Sequence, residues 1–204
     1  NKSNATYELN RNYFIFNFKD KLIDPNFNYE GNIQFNPFYS IIKGNAEKLN
    51  LSALFRSNSL FIQLLKTKIL NNKNLNIDLK INGEKISQFK NFINIFLKFK
   101  IQEGLIDIDN TKFSWNNYVD FQISDSLIYL IDNNLVLDAK LIINVENYNE
   151  VYKFLQTSKN LKPDLKKLEF DFNYNFDQQI MNFSNIKIDN QTSEKVNNVL
   201  NKIV

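Results

Sequence analysis

Proton transfer, metal binding and covalent catalysis each need particular side chains, and this sequence is short of them. It contains no His and no Cys, which removes the commonest general base and metal ligand, the thiolate nucleophile and the disulfide. Carboxylates are the remaining candidates. Asp107-Ile108-Asp109-Asn110 has the outline of a calcium loop, but it lacks the Gly and the terminal Glu that an EF-hand needs. Its two Asp residues also fit the polar side of a strand. Asp120, Asp125 and Asp132 supply carboxyl groups of the kind that hydrolases use in pairs, yet nothing in their spacing fixes a separation or raises a pKa. They read as surface or turn residues. No phosphate-binding loop, dinucleotide fingerprint, nucleophile elbow or zinc-protease motif is present. The expectation is a chain without catalysis, cofactor or metal.

What the sequence does supply, in quantity, is apolar side chains at every second position. LEFDFNYNF places Leu168, Phe170, Phe172, Tyr174 and Phe176 on one side of an extended chain, with Glu169, Asp171, Asn173 and Asn175 on the other. The same parity runs through Phe14, Phe16 and Phe18, then Phe27, Tyr29, Ile33 and Phe35 before Pro37. It returns at Leu75, Ile77, Leu79 and Ile81, where Asn82-Gly83 predicts a tight turn. Ile93, Ile95, Leu97, Phe99 and Ile101 lead to a second turn at Glu103-Gly104. Ile106, Ile108, Phe113, Trp115, Val119, Phe121 and Ile123 follow. After a turn at Asp132-Asn133-Asn134 comes the longest series, Leu135, Leu137, Ala139, Leu141, Ile143 and Val145. Around Met181-Asn182-Phe183 the register breaks before Ile186 and Ile188, which predicts a bulge.

Three segments change to helical spacing. An apolar stripe from Leu51 to Leu70 predicts one amphipathic helix. Tyr148, Val151, Tyr152 and Leu155 predict a second, capped by Asn147 or Asn149. Val196, Val199, Leu200 and Ile203 predict a third, capped by Thr192 or Ser193. The strands of nine to eleven residues would each span about 30–35 Å, against typical strands of about five or six residues. The fold expected is mainly β: a long antiparallel meander, one-sided in its apolarity, with about three short amphipathic helices. Such a sheet must cover its apolar face with a second sheet, curl on itself, or hold an apolar ligand. Three helices are too few to cover it.

Composition narrows the partners. With 25 basic and 22 acidic residues intermixed for a net charge of +3, the chain lacks the basic face of a nucleic-acid binder. About one residue in six is Asn, which an AT-rich genome explains, so Asn ladders are not inferred. The N-x-S/T patterns follow from the same abundance. No apolar run is long enough for a membrane-spanning helix. The start at Asn1, in the middle of a pattern, suggests a fragment.

The order of elements resembles the C-terminal region of the AsmA-like, TamB-related family of the bacterial envelope. The resemblance is carried by GNIQFNPF, by LSALFRSNSLFIQLLKTKILNNKNLNIDLKI, by the run from Gly104 to Gln156 and by KKLEFDFNYNFDQQIMNFSNIKID. It implies that residues 1–204 form one β-groove module, a fragment of a longer protein. That protein is expected in the periplasm, tethered to the inner membrane by a segment outside this chain. The implied function is non-catalytic: phospholipid acyl chains carried along an apolar β-groove towards the outer membrane, with envelope proteins as further partners. The groove lining on this reading is Ile93, Ile95, Leu97, Phe99, Leu135, Leu137, Leu141, Ile143, Leu168, Phe170, Phe172, Tyr174 and Phe176. The alternative is a structural or protein-interaction module whose apolar faces close into a sandwich.

Overall fold

The structure, a computed structural model, describes residues 4–19, 27–56, 58–157 and 164–192. Its strands join into a single open sheet, and the two outermost strands do not pair with each other. The first four are β1 (Asn4–Leu9), β2 (Tyr13–Lys19), β3 (Asn28–Phe35) and β4 (Phe38–Leu49). A helical crossover then leads to β5 (Asn76–Ile86), β6 (Phe92–Gln102) and the short β7 (Leu105–Asp107) and β8 (Lys112–Trp115). The long β9 (Val119–Ile131) and β10 (Asn134–Val145) precede a helix. The sheet ends with β11 (Lys167–Asn175), β12 (Ile180–Ile188) and the two-residue β13 (Gln191–Thr192). Neighbours follow chain order except that β6 pairs with both β7 and β8. The sandwich arrangement is therefore not adopted by the described residues.

The meander departs from the expected pattern at one place. β4 and β5 run parallel, from Ser40 beside Ile77 to Leu49 beside Ile86, while the other pairs are antiparallel. Parallel neighbours require a crossover, and residues 50–75 provide it. The single helix expected from Leu51 to Leu70 is broken there into α1 (Leu51–Phe55), α2 (Leu60–Lys66) and one 3-10 turn at Ile69–Asn71. Ser59 explains the break: its hydroxyl accepts from the backbone N–H of Ile62, which restarts the helix. The second expected helix forms as α3 (Tyr148–Phe154), with Asn147 as its cap. The third lies outside the described residues, and Thr192, expected to cap it, ends β13.

Turns were legible where two consecutive residues take positive φ. Glu103-Gly104 (55° and 82°) and Asp132-Asn133 (47° and 66°) close hairpins as expected. Asn82-Gly83 does not. Both residues lie inside β5, paired on one side with Asn45 and Ala46 and on the other with Phe96 and Ile95. The glycine serves packing instead: a Cβ at Gly83 would fall 2.4 Å from Cδ1 of Leu49. The chain turns later, across residues 87–91.

Three bulges adjust which side chains share a face, and each carries an Asn or Asp at positive φ. They are Asn94 (54°) in β6, Asp125 (51°) in β9 and Asn185 (53°) in β12. A bulge inserts one residue and so reverses parity beyond it. At Asn185 this aligns Met181 and Phe183 with Ile186 and Ile188, the register break seen in the sequence. At Asn94 the strands β4 and β5 switch parity at the same level. Ala46 and Leu49, Gly83 and Ile86, and Ile95 and Phe92 all meet in one apolar cluster.

Candidate functional site

Directly paired residues share a face, so the apolar face can be followed across the sheet. One row runs Tyr7, Phe16, Gly31, Ile42, Leu79 and Phe99 from β1 to β6. Another runs Phe113, Phe121, Ile143, Leu168 and Ile188 from β8 to β12. The apolar face is thus continuous from the first strand to the twelfth. The opposite face is mixed: Ile41, Phe96, Val136 and Ile142 lie on it among polar residues, with Lys80–Asp78 (2.7 Å), Lys140–Asp125 (2.6 Å) and Lys167–Glu169 (2.5 Å) as ion pairs. It also carries a short Asn ladder that composition alone did not license: Asn82 donates to Asn45 (3.0 Å), and Asn45 to Asn28 (2.8 Å).

Among the described residues, the crossover enters at one strand end, where Leu51 of α1 packs on the cluster of Leu49, Ile86 and Ile95 and Gln88 donates to Asn50 and Ser52. It runs to α2 at the opposite end. There α2 inserts Ile62 and Leu65, 0% and 2% exposed, against Ile101, Ile106, Ile128, Leu135 and Phe176. Phe61 meets Phe99 of β6 edge-on at 5.4 Å, and Phe55 stacks on Phe176 beyond β11. On a flat sheet β6 and β11 would lie about 19 Å apart, whereas α2 is about 10 Å long. The sheet curls around the helix. Lys66 fixes it by an ion pair to Asp177, whose other carboxylate oxygen accepts from the Leu135 N–H at 2.9 Å. At the other strand end, Phe154 of α3 packs on Trp115 at 4.8 Å.

The expected lining residues divide into three groups within this frame. Leu135, Leu137 and Phe176 lie in the closed core beside α2, at most 7% exposed, with Phe99 against Phe61. Ile95 is buried, with Leu97 against it, in the cluster formed with Leu49 and Ile86. Leu141, Phe172 and Tyr174 are half-buried and pack against the core beside α2, while Ile143, Leu168 and Phe170 are half-buried on the apolar face beyond it. Leu141 pairs with Phe170, Ile143 with Leu168 and Ala139 with Phe172. Ile93 does not belong to the lining. It lies before the Asn94 bulge, pairs with Lys85 and Ser114, and so occupies the opposite face from Ile95.

Two parts of the face were not assigned to the lining from sequence. On β1–β3, Tyr7, Leu9, Phe14, Phe16, Phe18 and Tyr29 surround a pocket of about 470 Å³. Tyr7 is 76% and Leu9 63% exposed there. Gly31 makes room for the Phe16 ring, since a Cβ would come within 2.5 Å of it. On β8 and β9, Phe113 and Phe121 stack at 4.7 Å, with Phe92 5.7 Å from Phe113. The alternation of Phe14, Phe16 and Phe18 was the available signal. The shared face became evident only with the register.

The carboxylates singled out for chemistry have structural work. Asp109 Oδ1 accepts from the N–H and hydroxyl of Ser126 (2.7 and 2.6 Å), and Asp107 Oδ1 accepts from the Asp109 N–H (3.2 Å). Burial pushes the Asp107 carboxyl upward. Asp120 accepts from Ser114 (2.6 Å), Asp125 pairs with Lys140, and Asp132 shapes its turn. Tyr129 donates to Asp138, and this bond pushes the phenol up to about 12. Lys66 holds the Asp177 carboxyl below its ordinary value, as Lys167 does Glu169. Among the described residues no group of three or more Asp or Glu is placed to hold a metal ion. No described helix is long and apolar enough to cross a membrane. Compared with protein-family models, curated proteins and solved structures, the chain matches none of them.

Proposed function

We propose that the chain is a non-catalytic lipid-binding module of the bacterial cell envelope, which holds phospholipid acyl chains along its curled apolar face and carries them towards the outer membrane. The observation that supports this most is the continuity of the face from β1 to β12, with half-buried aliphatic and aromatic side chains between α2 and α3 and an open aromatic pocket at β1–β3. An acyl chain laid there leaves water and gains about 0.8 kcal/mol per buried methylene without needing directional contacts. The envelope setting, with a tether to the inner membrane and the bulk in the periplasm, rests on the AsmA-like order of elements.

Native mass spectrometry tests the lipid reading. Delipidated protein mixed with phosphatidylglycerol is expected to form discrete one- or two-lipid adducts. Phe170→Asp is expected to reduce loading about tenfold or more, because a bound chain would bury an unpaired carboxylate. Asn175→Asp, on the polar face of the same strand and keeping the oxygen that accepts from the Asp177 and Gln178 N–H groups, is expected to leave loading unchanged. No adducts, or equal loss in both variants, would favour a structural or protein-interaction module instead.

A further inference from the structure

The crossover between β4 and β5 has a second apolar side that the sheet does not use. While Ile62 and Leu65 of α2 turn inward, Leu60 and Leu64 on the same helix are 87% and 40% exposed. Leu54 (40%), Ile69 (63%) and Leu105 (59%) are exposed as well. Leu105 belongs to the same surface, because Asn71 donates to the Gly104 carbonyl at 2.9 Å and locks the β6–β7 turn against the crossover. The charge here is one-sided. Residues 50–76 contain Arg56, Lys66, Lys68 and Lys73 and no Asp or Glu. Lys66 is paired with Asp177, which leaves three exposed cations beside the apolar patch. Besides Asp177, which Lys66 neutralises, the acidic groups in the turns at this end of the sheet are Glu103 and Asp132.

Exposed Leu and Ile interleaved with Lys and Arg match the chemistry of a surface that enters the headgroup layer of an anionic bilayer. An ordinary protein partner would not require the exclusion of acidic residues over the whole crossover. We infer that the α1–α2 crossover is a docking tip for an anionic phospholipid membrane, holding this end of the apolar face against the bilayer. The tip functions whether or not lipid occupies the sheet, so its test is separate from that of lipid loading.

The absence of Cys allows single environment-sensitive labels at Leu60→Cys on the tip and Leu155→Cys, 61% exposed, beyond α3. The probes are vesicles of phosphatidylcholine, with and without phosphatidylglycerol. The label at position 60 is expected to shift to the blue with anionic vesicles only, and the label at 155 to stay unchanged. Binding is expected to weaken with salt and to fall by about 100-fold in Arg56→Ser/Lys68→Ser/Lys73→Ser, about fivefold per charge. These three side chains are exposed, so the fold is expected to persist, and α2 protection in hydrogen exchange checks it. Failure to bind anionic vesicles would overturn the inference, as would binding reported by position 155 alone. So would a concentration-dependent shift at 60 without vesicles, which would mark self-association.

Discussion

Asp177 is the residue on which the α2 end of the molecule most depends. Its two oxygens serve Lys66 and the Leu135 N–H, and both side chains of the ion pair are less than a quarter exposed. Charged hydrogen bonds in such settings are worth about 2 kcal/mol each way, so Asp177→Asn is expected to lower the stability of the α2 end by about that amount, read as faster hydrogen exchange across residues 60–66. The sign with pH follows from the direction of its shift. A carboxyl held below its unfolded value of about 3.9 stabilises the fold above that pH, and the contribution disappears as pH falls through the depressed folded value. Acid melting below about pH 4 is therefore expected to be steeper in the wild type than in Asp177→Asn. Tyr129 behaves oppositely. With a folded value of about 12 against about 10 unfolded, its contribution is intact below pH 10 and is lost as pH rises towards 12. Ultraviolet titration is expected to show a late phenol component near 12 that is lost in Tyr129→Phe and moves towards 10 in Asp138→Asn.

At the level of the elements, the bulges decide which residues face inward. Asn94 holds a left-handed conformation at a point where three strands change parity together. A side chain without Asn's local hydrogen bonding costs about 1 kcal/mol in that conformation. Asn94→Ala is expected to lose that amount in chemical denaturation, and Asn94→Gly to lose nothing. Gly83→Ala is expected to destabilise by about 1–3 kcal/mol through overpacking against Leu49, with Leu49→Ala partly relieving it in the double variant. These features also show what the sequence could convey. Long alternation in residues 135–145 and 168–176 disclosed the strands, and Glu103-Gly104 and Asp132-Asn133 disclosed hairpins. Asn94 and Asp125 carried no such signal, because Asn and Asp also occupy ordinary strand and turn positions throughout this chain. The Asn82-Gly83 pair had the composition of a turn, but partners on both sides held it in β5. For the same reason Ile93 looked like lining: strict parity assigned it to the wrong side of a bulge that only the register reveals.

Across the described residues, α2 and α3 sit at opposite strand ends, the crossover runs between those ends over β4–β6, and the apolar face extends from one edge of the sheet to the other. Sequence alternation made the one-sidedness of each strand legible. The joining of those sides into a single surface was not, since it depends on the parallel β4–β5 pair and on three bulges. The most direct test of a lipid-lined face is a photo-crosslinking scan along β11, with a benzophenone side chain placed in turn from Leu168 to Tyr174 and the protein exposed to radiolabelled phospholipid. The prediction is strict alternation, with adducts at 168, 170, 172 and 174 and background at 169, 171 and 173. Equal labelling at all seven positions, or none above background, would contradict it.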